Sequence, residues 1–590
     1  MAPQVPINAP IWVYPEKNVS LFQAITKEFN IHPVIAQILI SRGFKTIEEI
    51  HEFLYGKLPN LLDPDLFPDM TVAVDRILLA LQNQEPFLIY GDNDVDGMTA
   101  AALLAEFFRS VGAKVVVDIS NRSTLKKSLI GDALQIALKN RCKLMITVDC
   151  GITAAKEIEE VVENGIDVII TDHHEPTAKI PHCIATLNPK LINSTYPNRD
   201  LTGVGVAFKL AHAVTSALIE QEKITPTQVD LKNYLDLVAL GTIADMGALR
   251  GENRILVRYG LKQLKKLKRM GLAKLFQISD LKPNEISPGD IASKIAPRLN
   301  SLGRIAEPIK GVELLLLRDS KQAEALAQEL DLHNLERQKI EKEIAEDIEN
   351  TIYQHPEILL GKAIVLHSDK WHPGIIAILA ARIAKQYNRP TLIISIEQGV
   401  GKGSLRTIPE FPLLPILKQH ANLLINFGGH DYAAGLTIKE EDIPEFRTKF
   451  IAAAGLALKE QDVFTKLYLD AKINFTELTF DFMESLHLLE PFGNENPPPL
   501  LYCETTQVWP PKMIGKYHMK LFLEQGDRML EGIAFGLAHR RHELRRKGMK
   551  LQIAFTPHVN LFLNKASIQL QIKDFQVLEE GTPPDSHGVS

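Results

Sequence analysis

The stretch YGDNDVDG, residues 90–97, follows the apolar run at 87–89 and precedes a helix of small residues predicted over 98–110. Three carboxylates alternate through this single turn, and the glycine after them lets the backbone approach closely. Like charges packed this tightly repel one another unless a cation binds between them. A hard divalent cation such as Mg²⁺ or Mn²⁺ suits these oxygen ligands. The carboxylates are those of Asp92, Asp94 and Asp96.

Two other interpretations of this turn have to be weighed. The ordinary one is a solvated acidic turn. The second is a calcium-binding EF-hand loop, because that loop opens with the same D-x-D-x-D-G pattern. The EF-hand loop also requires a bidentate Glu at its twelfth position, which is Leu103 when counted from Asp92. The calcium loop is therefore excluded, while the solvated turn stays open.

From about residue 76, apolar runs of strand length alternate with helical stretches. This alternation predicts a parallel sheet with helices on both faces. Ligands bind beyond the carboxyl ends of the strands in such sheets. The predicted strands are 86–90, 114–119, 143–148, 167–171 and 183–187, and the predicted helices between them are 98–110, 131–140 and 153–164.

Acidic and histidine residues follow three of these strands. The acidic turn at 92–96 follows the first, Asp149 the third, and the sequence DHH at 172–174 the fourth. All three groups are predicted at one edge of the sheet, which favours a metal site over a solvated turn. Asp245 lies at the end of the apolar, helix-like run 234–246. A carboxylate buried there needs a partner, which makes Asp245 a candidate ligand. Asp and His ligands without thiolates favour manganese or magnesium, and carboxylates from several strand ends can bridge two ions.

Four motifs resemble, in order and spacing, those of the DHH phosphoesterase superfamily, and most closely its RecJ family of single-strand-specific DNA exonucleases. They are GDNDVDG (91–97), TVDCGI (147–152), TDHHE (171–175) and VALGTIADM (238–246), and the resemblance continues through 201–211, 251–261 and 296–305. It implies two divalent cations, Mn²⁺ or Mg²⁺, held by Asp94, Asp96, Asp149, His173 and Asp245. It implies as catalytic residues His174 beside the scissile phosphate, Asp149 between the ions, and Asp92 as a supporting acid.

The resemblance also implies a multidomain α/β architecture. A parallel-sheet DHH domain and a DHH-associated domain would be joined by a long helix and followed by a C-terminal OB-type β-barrel. The predicted divisions are an N-terminal helical segment at 1–75, the DHH catalytic domain at 76–317, the connecting helix at 318–355, the DHH-associated, substrate-binding domain at 356–455, the OB-type nucleic-acid-binding domain at 456–580 and a tail at 581–590.

Several basic and polar residues are implied to contact the DNA. Arginine suits such positions because its planar fork pairs with phosphate oxygens. Two segments depart from the family pattern: residues 123–131 lack the usual Glu-Gly-Tyr-Gly, and 403–407 reads GSLRT in place of GSGRS. These changes concern how the 5′ end is held, and they leave the metal ligands intact. The implied nucleic-acid contacts are Arg122, Arg298, Arg304, Ser404, Arg406 and His430.

Composition limits the class of protein. A chain of 590 residues with 45% hydrophobic and 23% charged residues is typical of a folded multidomain protein. Its first residues lack the apolar core of a signal peptide, and its four cysteines form no CxxC pair. A cytoplasmic location is therefore predicted. The net charge of −6 does not indicate a nucleic-acid binder, but the basic run at 540–550 would give the predicted barrel a local basic surface.

With the resemblance, the sequence predicts a metal-dependent 5′→3′ exonuclease that degrades single-stranded DNA to mononucleotides in DNA repair and recombination. The predicted partners are single-stranded DNA, a helicase and a single-strand-binding protein, with no membrane and a monomeric chain. One alternative is a DHH phosphodiesterase for short oligoribonucleotides or cyclic dinucleotides, which would need neither the long helix nor the barrel. The other is an inactive DNA-binding scaffold, which would have no need to keep every acid and both histidines.

Overall fold

The computed structural model describes residues 9–121, 132–562 and 565–579. The chain divides into two compact units. The first contains residues 57–465, and the second joins residues 9–56 to the chain from 466 onward. The second unit is therefore built from two stretches that are far apart in the sequence.

The amino-terminal stretch of the second unit contributes one strand and three helices. Thr46 and Glu49 form a capping box at the start of the third helix, which satisfies backbone donors that a helix end leaves open. These elements are β1 (Ile11–Val13), α1 (Val19–Phe29), α2 (Pro33–Ser41) and α3 (Ile47–Tyr55).

The first unit opens with a five-stranded parallel sheet of order β3-β2-β4-β5-β6. The predicted parallel sheet is confirmed. Strand β4 is buried along its whole length, as expected for a parallel strand covered on both faces. The elements are α4 (Met70–Gln82), β2 (Pro86–Gly91), α5 (Val95–Ser110), β3 (Lys114–Ile119), α6 (Ala133–Lys139), β4 (Leu144–Val148), α7 (Ala155–Glu163), β5 (Asp167–Thr171) and β6 (Ala185–Leu187).

Eight helices follow the sheet. Helix α8 is long and apolar enough to cross a membrane, but 72% of its apolar window is buried inside the protein. Its apolar surface is therefore part of the core. The helices are α8 (Gly203–Glu220), α9 (Leu235–Ala244), α10 (Gly251–Leu264), α11 (Met270–Ile278), α12 (Pro288–Asp290), α13 (Ala296–Ile305), α14 (Ile309–Leu316) and α15 (Ser320–Gln354).

Helix α15 has 35 residues and leads to a second, mixed sheet of order β10-β11-β9-β8-β7. Only the β7–β8 pair of that sheet is parallel. The elements after α15 are β7 (Ile364–Ser368), α16 (Ile376–Tyr387), β8 (Thr391–Glu397), β9 (Val400–Arg406), α17 (Leu413–Gln419), β10 (Leu424–Gly429), β11 (Ala433–Lys439) and α18 (Ile443–Ala457).

The carboxyl-terminal stretch of the second unit forms the predicted β-barrel. Strand β14 pairs with both β15 and β17, which closes the sheet on itself. One apolar core contains side chains of the barrel, such as Leu551, together with Ile25 and Ile38 of α1 and α2. The elements are β12 (Lys466–Tyr468), β13 (Ala471–Lys472), α19 (Phe480–Ser485), β14 (Leu501–Ile514), β15 (His518–Gln525), β16 (Arg528–Ala534), β17 (Met549–Phe562) and β18 (Lys565–Glu579).

Candidate metal centre

Backbone N–H groups hold the carboxylates of the turn after β2. Asp94 is the N-cap of α5, and its Oδ1 accepts hydrogen bonds from the backbone N–H groups of Asp96 (3.0 Å) and Gly97 (3.1 Å). Asp96 accepts from the backbone N–H groups of Gly203 (2.7 Å) and Val204 (2.9 Å) at the start of α8. Helix N-termini favour negative charge, so both acids are held by backbone dipoles.

Asp149 directly follows β4 and has a left-handed backbone, with φ of 59°. Such a conformation costs of order 1–3 kcal/mol in a residue other than glycine, and it is typical of functional sites. The backbone N–H of Asp149 donates to the carbonyl of Thr171, the last residue of β5, at 2.9 Å. The next acid, Asp172, follows Thr171, and Asp245 caps the C-terminus of α9.

These elements bring the predicted ligands together. His173 Nε2 lies 3.1 Å from Asp149 Oδ1, 3.7 Å from Asp245 Oδ2 and 3.9 Å from Asp96 Oδ2. Asp92, Asp94 and Asp149 also offer oxygens that all lie within 4.8 Å of one another. We call this group the acid cluster. Its members are Asp92, Asp94, Asp96, Asp149, His173 and Asp245.

The acid cluster suits divalent cations, because its buried carboxylates repel one another when no cation is bound. Asp149 Oδ1 and His173 Nε2 are buried, and neither makes a hydrogen bond within the described part of the chain. Burial raises the pKa of Asp96 to about 7, and the charge of Asp94 adds to this shift. Burial and the charges of Asp96 and Asp94 also raise the pKa of Asp149 and of Asp245 well above the usual range. Buried donor atoms without partners and carboxylates that repel one another fit a divalent cation site.

The two histidines differ in charge because their neighbours differ. Burial and the charge of His174 lower the pKa of His173 to about 3, so His173 is the neutral imidazole that a metal requires. His174 Nδ1 lies 2.8 Å from Asp172 Oδ1. Burial acts to lower the pKa of His174, but the hydrogen bond and charge of Asp172 and the charges of Asp92 and Asp94 raise it to about 9. His174 is therefore a cation that can donate a proton to an anionic ligand.

Two basic side chains of the second sheet, His430 and Arg406, belong to the same unit as the acid cluster. The imidazole of His430, which follows β10, is nearly parallel to that of His174, with ring centroids 6.4 Å apart. Arg406 Nη1 donates to Ser404 Oγ (3.2 Å) and to the carbonyl of Leu405 (2.7 Å), and burial lowers its pKa. A half-buried guanidinium whose hydrogen bonds go to neutral oxygens is suited to an anion.

The other implied DNA contacts have different surroundings. Arg304 Nη1 donates to the carbonyl of Gly374 at 2.9 Å, which ties α13 to the loop before α16. Arg298 is paired with Asp331 of α15 at 2.9 Å. Arg122 lies outside the described residues.

The structure adds two residues that the sequence reasoning did not select. Asp172 belongs to the DHH motif, but its hydrogen bond to His174 depends on a turn whose geometry the sequence does not reveal. Arg337 of α15 is 7% exposed and donates to Asn334 Oδ1 at 3.1 Å. Burial and the charge of Arg337 lower the pKa of Arg304, which places these two cations close together. Helix α15 is rich in charged residues, so its buried arginine could have been found only by knowing which face of the helix is covered.

Comparison with known proteins gives matches to three family models. The model of the DHH family, N-terminal domain, matches residues 86–242, the DHHA1 domain matches 360–455 and the RecJ OB domain matches 469–574. The chain is 34% identical over 572 residues to the single-stranded-DNA-specific exonuclease RecJ of Bacillus subtilis, covering 96% of this chain and 71% of the relative. It is 32% identical to the protein of the same name from Dickeya dadantii, covering 92% and 95%.

Solved structures agree with these matches. The crystal structure of RecJ from Thermus thermophilus in complex with Mn²⁺ superposes with a TM-score of 0.82 at 28% identity, covering 97% of this chain and 80% of that one. A crystal structure of exonuclease RecJ bound to manganese superposes with a TM-score of 0.56 at 32% identity, covering 67% and 96%.

Proposed function

We infer the activity from the premise that this chain belongs to the RecJ family of single-stranded-DNA-specific exonucleases. It is a metal-dependent nuclease that hydrolyses single-stranded DNA from the 5′ end and releases mononucleotides in DNA repair and recombination. The observation that supports this most is the 6.4 Å approach of His174 to His430. It joins an acid cluster suited to cations to side chains suited to a phosphate.

We assign the cation ligands to the acid cluster. Asp94, Asp96, Asp149, His173 and Asp245 would hold two divalent cations, Mn²⁺ or Mg²⁺, and Asp149, which belongs to two of the ligand groups, would contribute to both. Asp92 accepts from Ser120 Oγ at 3.0 Å and supports the same turn, close to the oxygens of Asp94 and Asp149. When bound, the cations would supply Lewis acidity that activates water and neutralises charge on the phosphate.

The remaining steps belong to the protein's own side chains. Asp172 holds Nδ1 of His174, so the other ring nitrogen carries the proton that His174 would donate to the scissile phosphate or to the leaving oxygen. Ser404, Arg406 and His430 would bind the terminal phosphate, and Arg304 and Arg298 would bind phosphates nearby. Arg122, which lies outside the described residues, would add a further phosphate contact. Together these contacts would orient the terminal phosphate toward the acid cluster.

The first experiment uses a labelled single strand with a 5′ phosphate, the corresponding duplex and an RNA of the same sequence. With Mn²⁺ or Mg²⁺, only the single-stranded DNA should shorten, and it should shorten from its 5′ end; chelator should abolish this. Asp94→Ala and Asp149→Ala should lose cleavage but retain binding. Asp75→Ala, which changes an exposed acid of α4, is the control. Hydrolysis of short RNA with intact DNA would place the chain among small-substrate phosphodiesterases instead.

We also propose a cellular location, an oligomeric state and partner proteins. The four cysteines are free thiols, which suits a reducing cytoplasm. We propose a monomer that receives single strands from a helicase and a single-strand-binding protein. Sedimentation of the purified protein, and cleavage of a duplex with and without such a helicase, would check these two points.

A further inference from the structure

Asn300 lies in the middle of α13, where asparagine is an unfavourable residue. Its Oδ1 accepts a hydrogen bond from the backbone N–H of Val95 at 3.1 Å. Val95 is the first residue of α5, and the N–H of a first helical residue has no acceptor within its own helix. Val95 is only 1% exposed, so solvent has little access to this N–H. Asn300 therefore satisfies a donor that the helix itself leaves open.

The next two donors of the same helix end are satisfied by Asp94. Its Oδ1 accepts from the N–H groups of Asp96 at 3.0 Å and Gly97 at 3.1 Å. Asp94 also offers an oxygen within 4.8 Å of ligand oxygens of Asp92 and Asp149. One carboxylate thus serves both the backbone and the acid cluster. A third N–H without an acceptor would compete for this carboxylate, because a buried donor needs a partner.

Helix α13 is fixed against the turn that carries these acids. A Cβ built at Gly303 would lie 2.2 Å from the carbonyl oxygen of Asn93, so the backbones of the helix and the turn are in close contact. Leu299 and Leu302 are fully buried in the apolar core that α13 shares with α5. Asn300 is therefore presented to the turn by a helix whose own core contacts hold it in place.

We propose that Asn300 is a positioning residue of the metal centre. By accepting the N–H of Val95, it keeps the carboxylate of Asp94 available to a divalent cation. Without that acceptor, Asp94 would turn toward the freed N–H, and cation binding and cleavage would weaken together. The proposed phosphate contacts would be unchanged. This inference rests on the proposed function, because Asp94 belongs to the set of cation ligands assigned there.

The test removes the acceptor in the full chain. Asn300→Leu keeps a side chain of similar size, and its Mn²⁺ affinity by calorimetry should fall about 10-fold. The kcat on single-stranded DNA should also fall about 10-fold or more, whereas KM should stay within about three-fold. In the metal-free protein, hydrogen exchange over residues 93–98, measured by mass spectrometry, should become faster because the Val95 amide loses its acceptor. Asn300→Ala, which introduces no apolar bulk, gives the same test if Asn300→Leu does not fold.

Two further variants separate the acceptor from other effects. Asn300→Asp keeps the acceptor oxygen, and a helix N-terminus favours its negative charge, so kcat at saturating Mn²⁺ should stay within about three-fold of wild type. Asn60→Leu is the matched control, because Asn60 Oδ1 also accepts a backbone N–H, that of Lys57 at 2.9 Å, in the same unit but outside the acid cluster. It should keep wild-type Mn²⁺ affinity and kcat. Melting curves of the metal-free variants establish that each is folded.

Three results would overturn the assignment: wild-type Mn²⁺ affinity and kcat of Asn300→Leu, equal losses in Asn300→Leu and Asn300→Asp, or equal losses in Asn60→Leu. Failure of the proposed function looks different, because wild-type protein would then leave single-stranded DNA intact in the presence of Mn²⁺. The Mn²⁺ affinities and the hydrogen exchange would still report on Asn300, since neither measurement requires cleavage.

Discussion

Substituting Gly203 by alanine would place a methyl group against the acid cluster. An ideal Cβ at this position lies 2.6 Å from both Cβ and Oδ1 of Asp149, whereas ordinary van der Waals contact begins at 3.4 Å. Relief of the clash requires a displacement of about 0.8 Å, because the buried carboxylate cannot swing into solvent. Metal sites tolerate about 0.2 Å in ligand distance. A displacement near 1 Å at a reacting centre lowers rates about 100-fold.

Gly203→Ala should disturb the metal site without unfolding the protein. Gly203 is the first residue of α8, where alanine is also the better helix former, which offsets part of the strain of the clash. We therefore expect Gly203→Ala to melt near the wild-type temperature, to bind Mn²⁺ at least 10-fold more weakly by calorimetry, and to show a kcat about 100-fold lower on single-stranded DNA. KM should change little, because the phosphate-binding side chains are untouched.

Gly455→Ala is the matched control. It makes the same change within α18 of the same unit, where the added Cβ has nothing within 4 Å. It should retain wild-type Mn²⁺ affinity and kcat. If Gly203→Ala also keeps both within about three-fold, the Asp149 carboxylate has room that the structure does not give it.

Three further predictions concern charge. Asp172→Asn removes the carboxylate that raises the pKa of His174, so kcat should fall about 10- to 100-fold with little change in melting temperature, measured by steady-state kinetics and thermal scans. Burial raises the folded-state pKa of Asp96 to about 7, so the metal-free protein should lose stability as the pH rises from about 4 to 7. The stabilisation by Mn²⁺ in a thermal shift assay should therefore be larger at pH 8 than at pH 5. Equal shifts at the two pH values would contradict the assigned ligands. Lys209→Met leaves the buried carboxylate of Glu252 unpaired and should cost about 3–5 kcal/mol in denaturant unfolding, most of which the double variant with Glu252→Gln should recover.

The acid cluster could be predicted from sequence because strand ends in a parallel sheet meet at one edge. The alternation of strands and helices placed Asp149 and the DHH motif there, and the structure brings His173 Nε2 to 3.1 Å from Asp149 Oδ1. Asp245 was a weaker prediction, since an acid at the end of an apolar helix reveals nothing about where that helix points. The packing of α9 against α5 determines where the end of α9, and therefore Asp245, lies.

Other features could not be predicted from the sequence, because they depend on strand register or on contacts between residues far apart in the chain. Trp509 of β14 is exposed, although regular alternation with the buried Gln507 would place it inside the barrel. The reason is that β14 slips twice against β15, and no strand period predicts the position of a slip. The basic run at 540–550 was interpreted as one surface, yet Arg540 is paired with Glu543 and Asp574 and lies 4.0 Å from the centre of the Phe575 ring. Arg540 therefore links the segment 538–544 to β18. Nothing in the local sequence separates it from Arg541, which is exposed.

The second unit combines the beginning and the end of the chain, which affects how it folds during translation. Helices α1 and α2 share their apolar core with barrel strands that begin at Leu501. At translation rates of about 5–20 residues per second, those strands leave the ribosome roughly 20–90 s after the helices do. During that interval Ile25 and Ile38 have no native partner surface from the barrel. The nascent chain therefore presents an apolar segment that chaperones can bind, and it carries that segment until translation is nearly complete.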